Sequence, residues 1–276
     1  MRYAFLLVLL AGCAAQAPLP PAKRLQAIEA NNHAAQLFAR GDYAGAAKFY
    51  SRALEIERSV ENEDGIAANL INLSIAYQRL GERRSAESAV AEILDGGVLS
   101  FPPPRVAEAG LRDAILKLDA GDHDGAARSV ERARAACAKS CLPEGKLLNV
   151  DAQLAFARKD YPAAAASAEK ALSANRAASE REEVSNSLRL LGASLLEMNA
   201  FEKAQAPLAQ ALEIDKDMAL PSRILRDLML LGRAAQGVGD AAQARTYLAR
   251  ARSVANAMGD NKTAAEAARL AAALPN

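Results

Sequence analysis

The chain is poor in the residues that carry most enzyme chemistry. Its 276 residues include no tryptophan, 4% aromatics, two histidines and three cysteines. His33 and His123 stand far apart in sequence, and no nucleophile, base and orienting group fall together, so the chain reads as a non-enzyme. No second cysteine or histidine pair completes a tetrahedral metal set, and no cofactor is expected. An excess of one charge is also missing: 34 basic residues face 33 acidic ones, a formal net charge of +1. Nucleic-acid binders concentrate basic residues on one face, because neutralising phosphates supplies most of their affinity, so that partner class is excluded. β-branched runs and alternating patterns are nearly absent, which argues against sheet. The longest apolar run sits at the N-terminus and falls short of the roughly 20 residues that span a bilayer as a helix.

What the chain has instead is alanine. Hydrophobic residues make up 51%, and alanine, the best helix former, supplies much of that share. The reading is all-α. Along it one local grammar returns: a helix ending on glycine, a short turn, and a second helix with small residues on one face. The turn position falls at Gly41, Gly81, Gly121, Lys159, Asn199 and Gly239, at spacings of 40, 40, 38, 40 and 40 residues. A fixed period in that range predicts a helical repeat array rather than a single globular core.

Counted back from each turn, the eighth position of a unit holds Ala34, Ser74, Ala114, Ala152, Gly192 and Gly232. The twentieth holds Ala46, Ala86, Ala126, Ala164, Ala204 and Ala244, and the twenty-seventh holds Ala53, Ile93, Ala133, Ala171, Ala211 and Ala251. Small residues are needed wherever helix axes approach to the short end of the 8–10 Å range. These columns resemble those of tetratricopeptide repeats, paired antiparallel helices whose eighth, twentieth and twenty-seventh positions are small. The resemblance implies a right-handed superhelical solenoid of about six helix pairs over residues 24–276, closed by a capping helix from Lys262 to Leu274. The period near 40 is similar to the extended-helix branch of the family, as in kinesin light chains, and requires longer helices or longer linkers.

Turn chemistry agrees with that register. Glycine and asparagine tolerate the left-handed conformation that ends a helix. Asp42, Asp122, Asp160 and Asp240 follow the turn residue, where a carboxylate favours the next N-terminus. Tyr43, Tyr161 and Phe201 are placed to cover the junctions. Gly121-Asp122-His123-Asp124-Gly125 has the look of a metal or phosphate loop but lies at an inter-helix turn in register with the others. Three departures stand out: the proline run at 102–104 before a degenerate third unit, Lys159 where glycine is wanted, and Pro207 inside a helix, where a kink is expected. Cys137 and Cys141, four apart near a helix end, leave a disulfide and two free thiols both open.

The N-terminus reads Met-Arg-Tyr-Ala-Phe-Leu-Leu-Val-Leu-Leu-Ala-Gly-Cys, one positive residue before a short apolar run. That pattern suits a secretory signal over residues 1–12. Leu10-Ala11-Gly12-Cys13 resembles the lipobox of bacterial lipoproteins, which implies cleavage before Cys13 and acylation of that residue. Ala14, in place of the aspartate that commonly retains enterobacterial lipoproteins at the inner membrane, implies an outer-membrane destination facing the periplasm. Residues 13–23 then form a proline-rich tether.

In the tetratricopeptide family the first helices line a concave groove. The resemblance places Asn31, Phe38, Ile71, Ile75 and Gln78 in its early part and Asn149, Gln153, Phe156, Asn186, Arg189, Arg226, Arg233 and Gln236 in its later part. Such a lining suits an extended segment of a protein partner. The implied role is a lipid-anchored scaffold in assembly of an envelope machine, as in pilotins or adaptors for peptidoglycan enzymes. A carbohydrate-handling module for exopolysaccharide export is the alternative, which the scarcity of aromatics disfavours. Replacing Cys13 with serine is expected to release a soluble protein or leave an unprocessed precursor. Membrane fractionation with unchanged processing and unchanged pelleting would refute the anchor.

Overall fold

The computed structural model describes residues 21–136 and 144–275. Cys13, Cys137 and Cys141 lie outside the described residues, and with them the lipidation site and the disulfide question. Thirteen helices and no strand are found among the described residues. They are α1 (Ala22–Ala39), α2 (Tyr43–Ser59), α3 (Glu63–Leu80), α4 (Arg83–Leu94), α5 (Pro103–Asp119), α6 (His123–Ala136) and α7 (Glu144–Ala157). The chain continues with α8 (Tyr161–Ala177), α9 (Arg181–Glu197), α10 (Phe201–Asp217), α11 (Pro221–Gly237), α12 (Ala241–Ala257) and α13 (Asn261–Ala272). None is long and apolar enough to cross a membrane.

Every helix end in the regular part of the array is made the same way. All six expected turn residues have positive φ, including Lys159 at 63° and Asn199 at 57°. The next backbone N–H then reaches back across the turn, as Asp42 does to the Leu37 carbonyl and Asp240 to the Ala235 carbonyl, at 3.0 and 2.9 Å. This pairing satisfies carbonyls that the helix end would otherwise orphan. The aspartates then cap the following helix: Asp42 accepts from the Gly45 N–H, Asp122 from Gly125, Asp160 from Ala163 and Asp240 from Gln243.

The same turn also occurs between units, where the sequence carries no glycine signal. Glu61, Ser179 and Ala219 take positive φ and complete the same backward bond from the following residue. Apart from the shorter α4, α6, α7 and α13, the period of forty divides into two halves of twenty, each a helix of 17 or 18 residues and a turn of two or three. Longer helices, not longer linkers, account for the extended repeat. A non-glycine residue in the left-handed region costs about 1 kcal/mol, so the packing around these turns outweighs local preference.

That packing is carried by the three small columns. All eighteen positions are buried: sixteen side chains are 2% exposed or less, Ile93 among them, and Gly192 and Gly232 are the other two. Where the eighth position is glycine, small meets large. A Cβ on Gly232 would lie 3.0 Å from Leu248, and one on Gly192 would strike Leu208. At the degenerate pair, Gly110 of α5 takes the close approach, 3.0 Å from the Ala133 Cβ of α6 to the place a Cβ would occupy. The aromatic junction residues pack as expected: Tyr43 meets Phe38 edge-on at 5.0 Å, Tyr161 meets Phe156 at 5.4 Å, and Phe201 fills the space beside Gly237.

Several boundaries differ from the sequence reading. α1 begins at Ala22, inside the stretch assigned to the tether, because Pro21 serves as its N-cap and no proline follows. Pro103 and Pro104 open α5 rather than preceding it, with Pro102 as the cap; the first turn has no N–H obligation there. α10 runs from Phe201 to Asp217 through a buried Pro207 without ending. α13 stops at Ala272, and Leu274 beyond it folds back as a buried residue. Lys262, Glu266 and Arg269 are exposed along α13, while Ala264 and Ala267 pack inward.

Each odd-numbered helix from α3 onward also touches the next odd-numbered one, up to α11, while the even-numbered helices make no comparably extensive contacts with one another. The odd helices therefore form the inner, concave layer of the superhelix. Ala204→Leu, at a fully buried crossing of α9 and α10, is expected to destabilise by about 1–3 kcal/mol through overpacking. Glu213→Ala, at an exposed site paired only with Lys216, should stay within about 0.5 kcal/mol in the same thermal-melting measurement.

Candidate partner-binding groove

The concave layer encloses two adjoining depressions. The first, about 390 Å³, lies over α3, α5, α7 and α9 and is walled by Ile71, Ile75, Leu111, Ile115, Lys146, Asn149, Gln153 and Asn186, among others. The second, about 430 Å³, is walled by Leu118 and Asp119 of α5, Gln153 and Phe156 of α7, Asn186, Arg189 and Leu190 of α9, and Arg226, Leu230 and Arg233 of α11. Gln153 and Asn186 belong to both, so the groove is continuous. Helices three pairs apart in sequence share its second wall, which is what superhelical curvature achieves and no local segment can.

Nine of the thirteen groove residues named from the sequence line these walls: Ile71, Ile75, Asn149, Gln153, Phe156, Asn186, Arg189, Arg226 and Arg233. The other four are placed elsewhere. Asn31 is tied to the Asn69 Oδ1 at 2.9 Å, and Phe38 packs on Tyr43 at the first turn. Gln78 accepts from Arg112 at 2.6 Å and donates to Asp119, so it bridges α3 and α5. Gln236 is exposed on α11 outside both depressions. His33, in a position expected to face the core, is exposed and meets Phe49 edge-on at 4.3 Å.

Lining the groove and being free to bind are different things. Asn149 is 2% exposed; it donates to the Glu183 carboxylate at 2.8 Å and accepts from the Ser187 hydroxyl at 2.8 Å. Arg189 is 6% exposed and more deeply committed. Its Nε donates to Asp227 at 2.6 Å, and its Nη2 donates to Asp215 and, at 2.9 Å, to Ser185. Asn31, Asn149 and Arg189 all occupy the fifth position of their repeat units, and each bonds the residue 38 further on: Asn69, Ser187 and Asp227. Ser74 and Arg112 repeat that separation one turn along, at 3.1 Å. A parallel helix one unit later presents residues at that offset, so these side chains are rungs between odd helices rather than ligand contacts.

Sequence reasoning missed the buried charges. Asp215 and Asp227 are fully buried beneath Arg189, and Arg112 is 7% exposed. Polar residues 38 apart on successive odd helices were the available signal. Removal from water pushes the Asp227 carboxyl up to about 7; the Arg189 guanidinium opposes this, and the Asp215 carboxylate adds to it. Arg112 bonds only neutral groups, the Ser74 hydroxyl and carbonyl and the Gln78 amide oxygen. Burial lowers its pKa to about 10, with Asp119 opposing and Arg79 reinforcing. Burial likewise lowers the Arg226 pKa, and so do the like charges of Arg189 and Arg79.

Of the groove's carboxylates, Glu108 holds Arg105 at 2.8 Å, Glu183 holds Asn149, Glu197 holds Arg233 at 2.6 Å, and Asp119 holds Gln78. Among the described residues Lys146 and Arg226 have no hydrogen-bond or ion-pair partner. No group of three or more histidines, cysteines or acids among the described residues is placed to hold a metal ion.

The buried cluster sets a pH dependence whose sign is fixed. Folded Asp227 keeps a proton that the unfolded chain releases above its ordinary value of 3.8, so its contribution to stability is lost as pH rises through about 7. Asp227→Asn, which imitates the protonated form, is expected to show a smaller fall in Tm between pH 5 and pH 8 than the unaltered protein. Equal falls by circular dichroism would rule out the shifted carboxyl.

Comparison with known proteins accords with this architecture. No curated protein matches the chain. A signal transduction ATPase with a tetratricopeptide repeat sensor from Pyrococcus horikoshii is similar over 89% of this chain at a TM-score of 0.66 and 16% identity; this chain spans 37% of it. BtubC from P. vanneervenii is similar over 87% of this chain and 93% of its own length, at a TM-score of 0.55 and 20% identity. A Rap protein, solved in complex with Competence and Sporulation Factor, is similar over 91% of this chain and 74% of its own length, at a TM-score of 0.62 and 13% identity. At these identities the likeness is one of fold. In sequence, the tetratricopeptide repeat family matches residues 26–96, the stretch that carries the first two helix pairs, and the later pairs continue the same packing in three dimensions.

Proposed function

We propose that the protein is a non-catalytic scaffold that holds a segment of a partner protein in the concave groove. The observation that carries this reading is the continuous groove itself, floored by Ile71, Ile75, Leu111, Ile115 and Phe156 and crossed by polar side chains with bonding capacity to spare. An extended peptide matches such a surface, since its backbone uses the amides and its side chains the apolar patches. The similar Rap protein, solved with Competence and Sporulation Factor, supports a ligand-binding role for a solenoid of this shape. Phe156 is the one aromatic among the residues lining the two depressions, which favours a peptide over a stacked sugar.

The lipobox-like Leu10-Ala11-Gly12-Cys13 and the prolines that follow support a cellular setting for this scaffold: anchored by lipid on Cys13 at the periplasmic face of the outer membrane, in assembly of an envelope machine. A pilotin-like role and an adaptor for peptidoglycan enzymes both fit that address.

A photocrosslinking residue placed at Gln153 or Arg233 is expected to capture one defined protein in cells, identified by mass spectrometry. The same residue at Gln205, exposed on α10 of the outer layer, should capture none. Capture from Gln205 alone would overturn the groove assignment.

A further inference from the structure

The groove's charges are unevenly committed, and that asymmetry selects its ligand. Its four wall carboxylates each accept a hydrogen bond from a neighbouring side chain. Lys146 of α7 and Arg226 of α11 accept nothing and donate to nothing among the described residues. Both occupy the second position of their repeat units, with Asn186 of α9 at the corresponding place between them, so they form one row along the groove. Arg112 adds a buried guanidinium with no carboxylate in contact. Arg226 is exposed and Lys146 half-buried, and Arg226 feels Asp227 and Asp119 without bonding either, so an anion brought to these cations gains a charge-assisted hydrogen bond. Beside Arg226 the wall turns apolar at Leu118, Phe156, Leu190 and Leu230.

We propose that the groove takes an acidic segment of its partner, an extended peptide whose carboxylates bond Lys146 and Arg226 while a neighbouring apolar side chain rests on Phe156. This rests on the groove being the partner-binding face. A cationic segment would meet carboxylates already occupied and guanidinium groups that repel it.

Three proteins separate the possibilities: the full unaltered chain, Arg226→Glu, and Gln153→Trp, which fills the waist shared by both depressions and so blocks any groove ligand whatever its charge. Each is panned against a random twelve-residue phage-displayed peptide library, and enriched peptides are resynthesised with a fluorescent label for anisotropy titration. Arg226 is exposed and has no hydrogen bond to lose, so a melting curve that stays cooperative checks that its charge reversal leaves the fold intact. The expected result is enrichment of aspartate and glutamate next to aliphatic or aromatic residues, with binding at least tenfold weaker to both variants and weakening as salt rises. Neutral or basic peptides that Gln153→Trp blocks and Arg226→Glu leaves untouched would overturn the acidic ligand while keeping the groove. Peptides indifferent to Gln153→Trp, or no enrichment at all, would overturn the groove reading and this inference with it.

Discussion

Everything in this molecule depends on how closely two helices approach within a pair. A seventeen-residue helix rich in alanine buries little surface alone, and isolated helices of that length are marginal in water. The pair becomes stable where side chains shrink to alanine or glycine, since the axes then close and dispersion contacts accumulate along the whole crossing. Ala46, Ala86, Ala126, Ala164, Ala204 and Ala244 are all fully buried, one in each pair, and the residues facing them are graded to match. Where the eighth position is glycine, a leucine enters, Leu208 at Gly192 and Leu248 at Gly232.

Regular turns carry this constraint through the chain. Because ten turns among the described residues have the same backward hydrogen bond, the helices they join leave at a similar angle, and that angle repeated along the array generates a superhelix. The turns between units tolerate Glu61, Ser179 and Ala219 in a conformation that favours glycine. Helix packing on either side supplies the difference, a case of tertiary contacts overriding local preference. The polar rungs act in the other direction. Bonds from Asn31 to Asn69, Asn149 to Ser187 and Arg189 to Asp227 tie one odd helix to the next and hold the inner layer in register.

Rungs and groove compete for the same side chains. Arg189 shows the outcome most plainly: its guanidinium lines the second depression, yet its donors are spent on Asp215, Asp227 and Ser185. Arg226, three residues from the fifth position of its own repeat unit, faces the same space with its donors free. Two arginines that look alike in sequence thus have opposite roles, one as mortar between helices and one as open surface. The difference comes from whether a carboxylate lies on the next helix at the right offset. For Arg189 it does; for Arg226 the residue 38 further on is Ala264 of the single terminal helix α13.

The helices, their pairing and the left-handed turn positions were legible in the sequence, because each depends on contacts within one repeat: a glycine at 41, 121 or 239, an aspartate after it, and small residues spaced to meet. The start of α5 at Pro103 and the glycine-free turns were not, since there the surrounding packing outvotes residue type. The candidate groove was legible as a row of positions but not as a set of available groups. Whether a polar side chain is free depends on a partner 34 to 41 residues away, as for Asn149 with Glu183 and Gln78 with Asp119. Local chemistry therefore determined that this chain folds as nested helical pairs. Only the curvature of the assembled array, which brings α5 against α11 across one cavity, decided which charges are buried between rungs and which still face the groove.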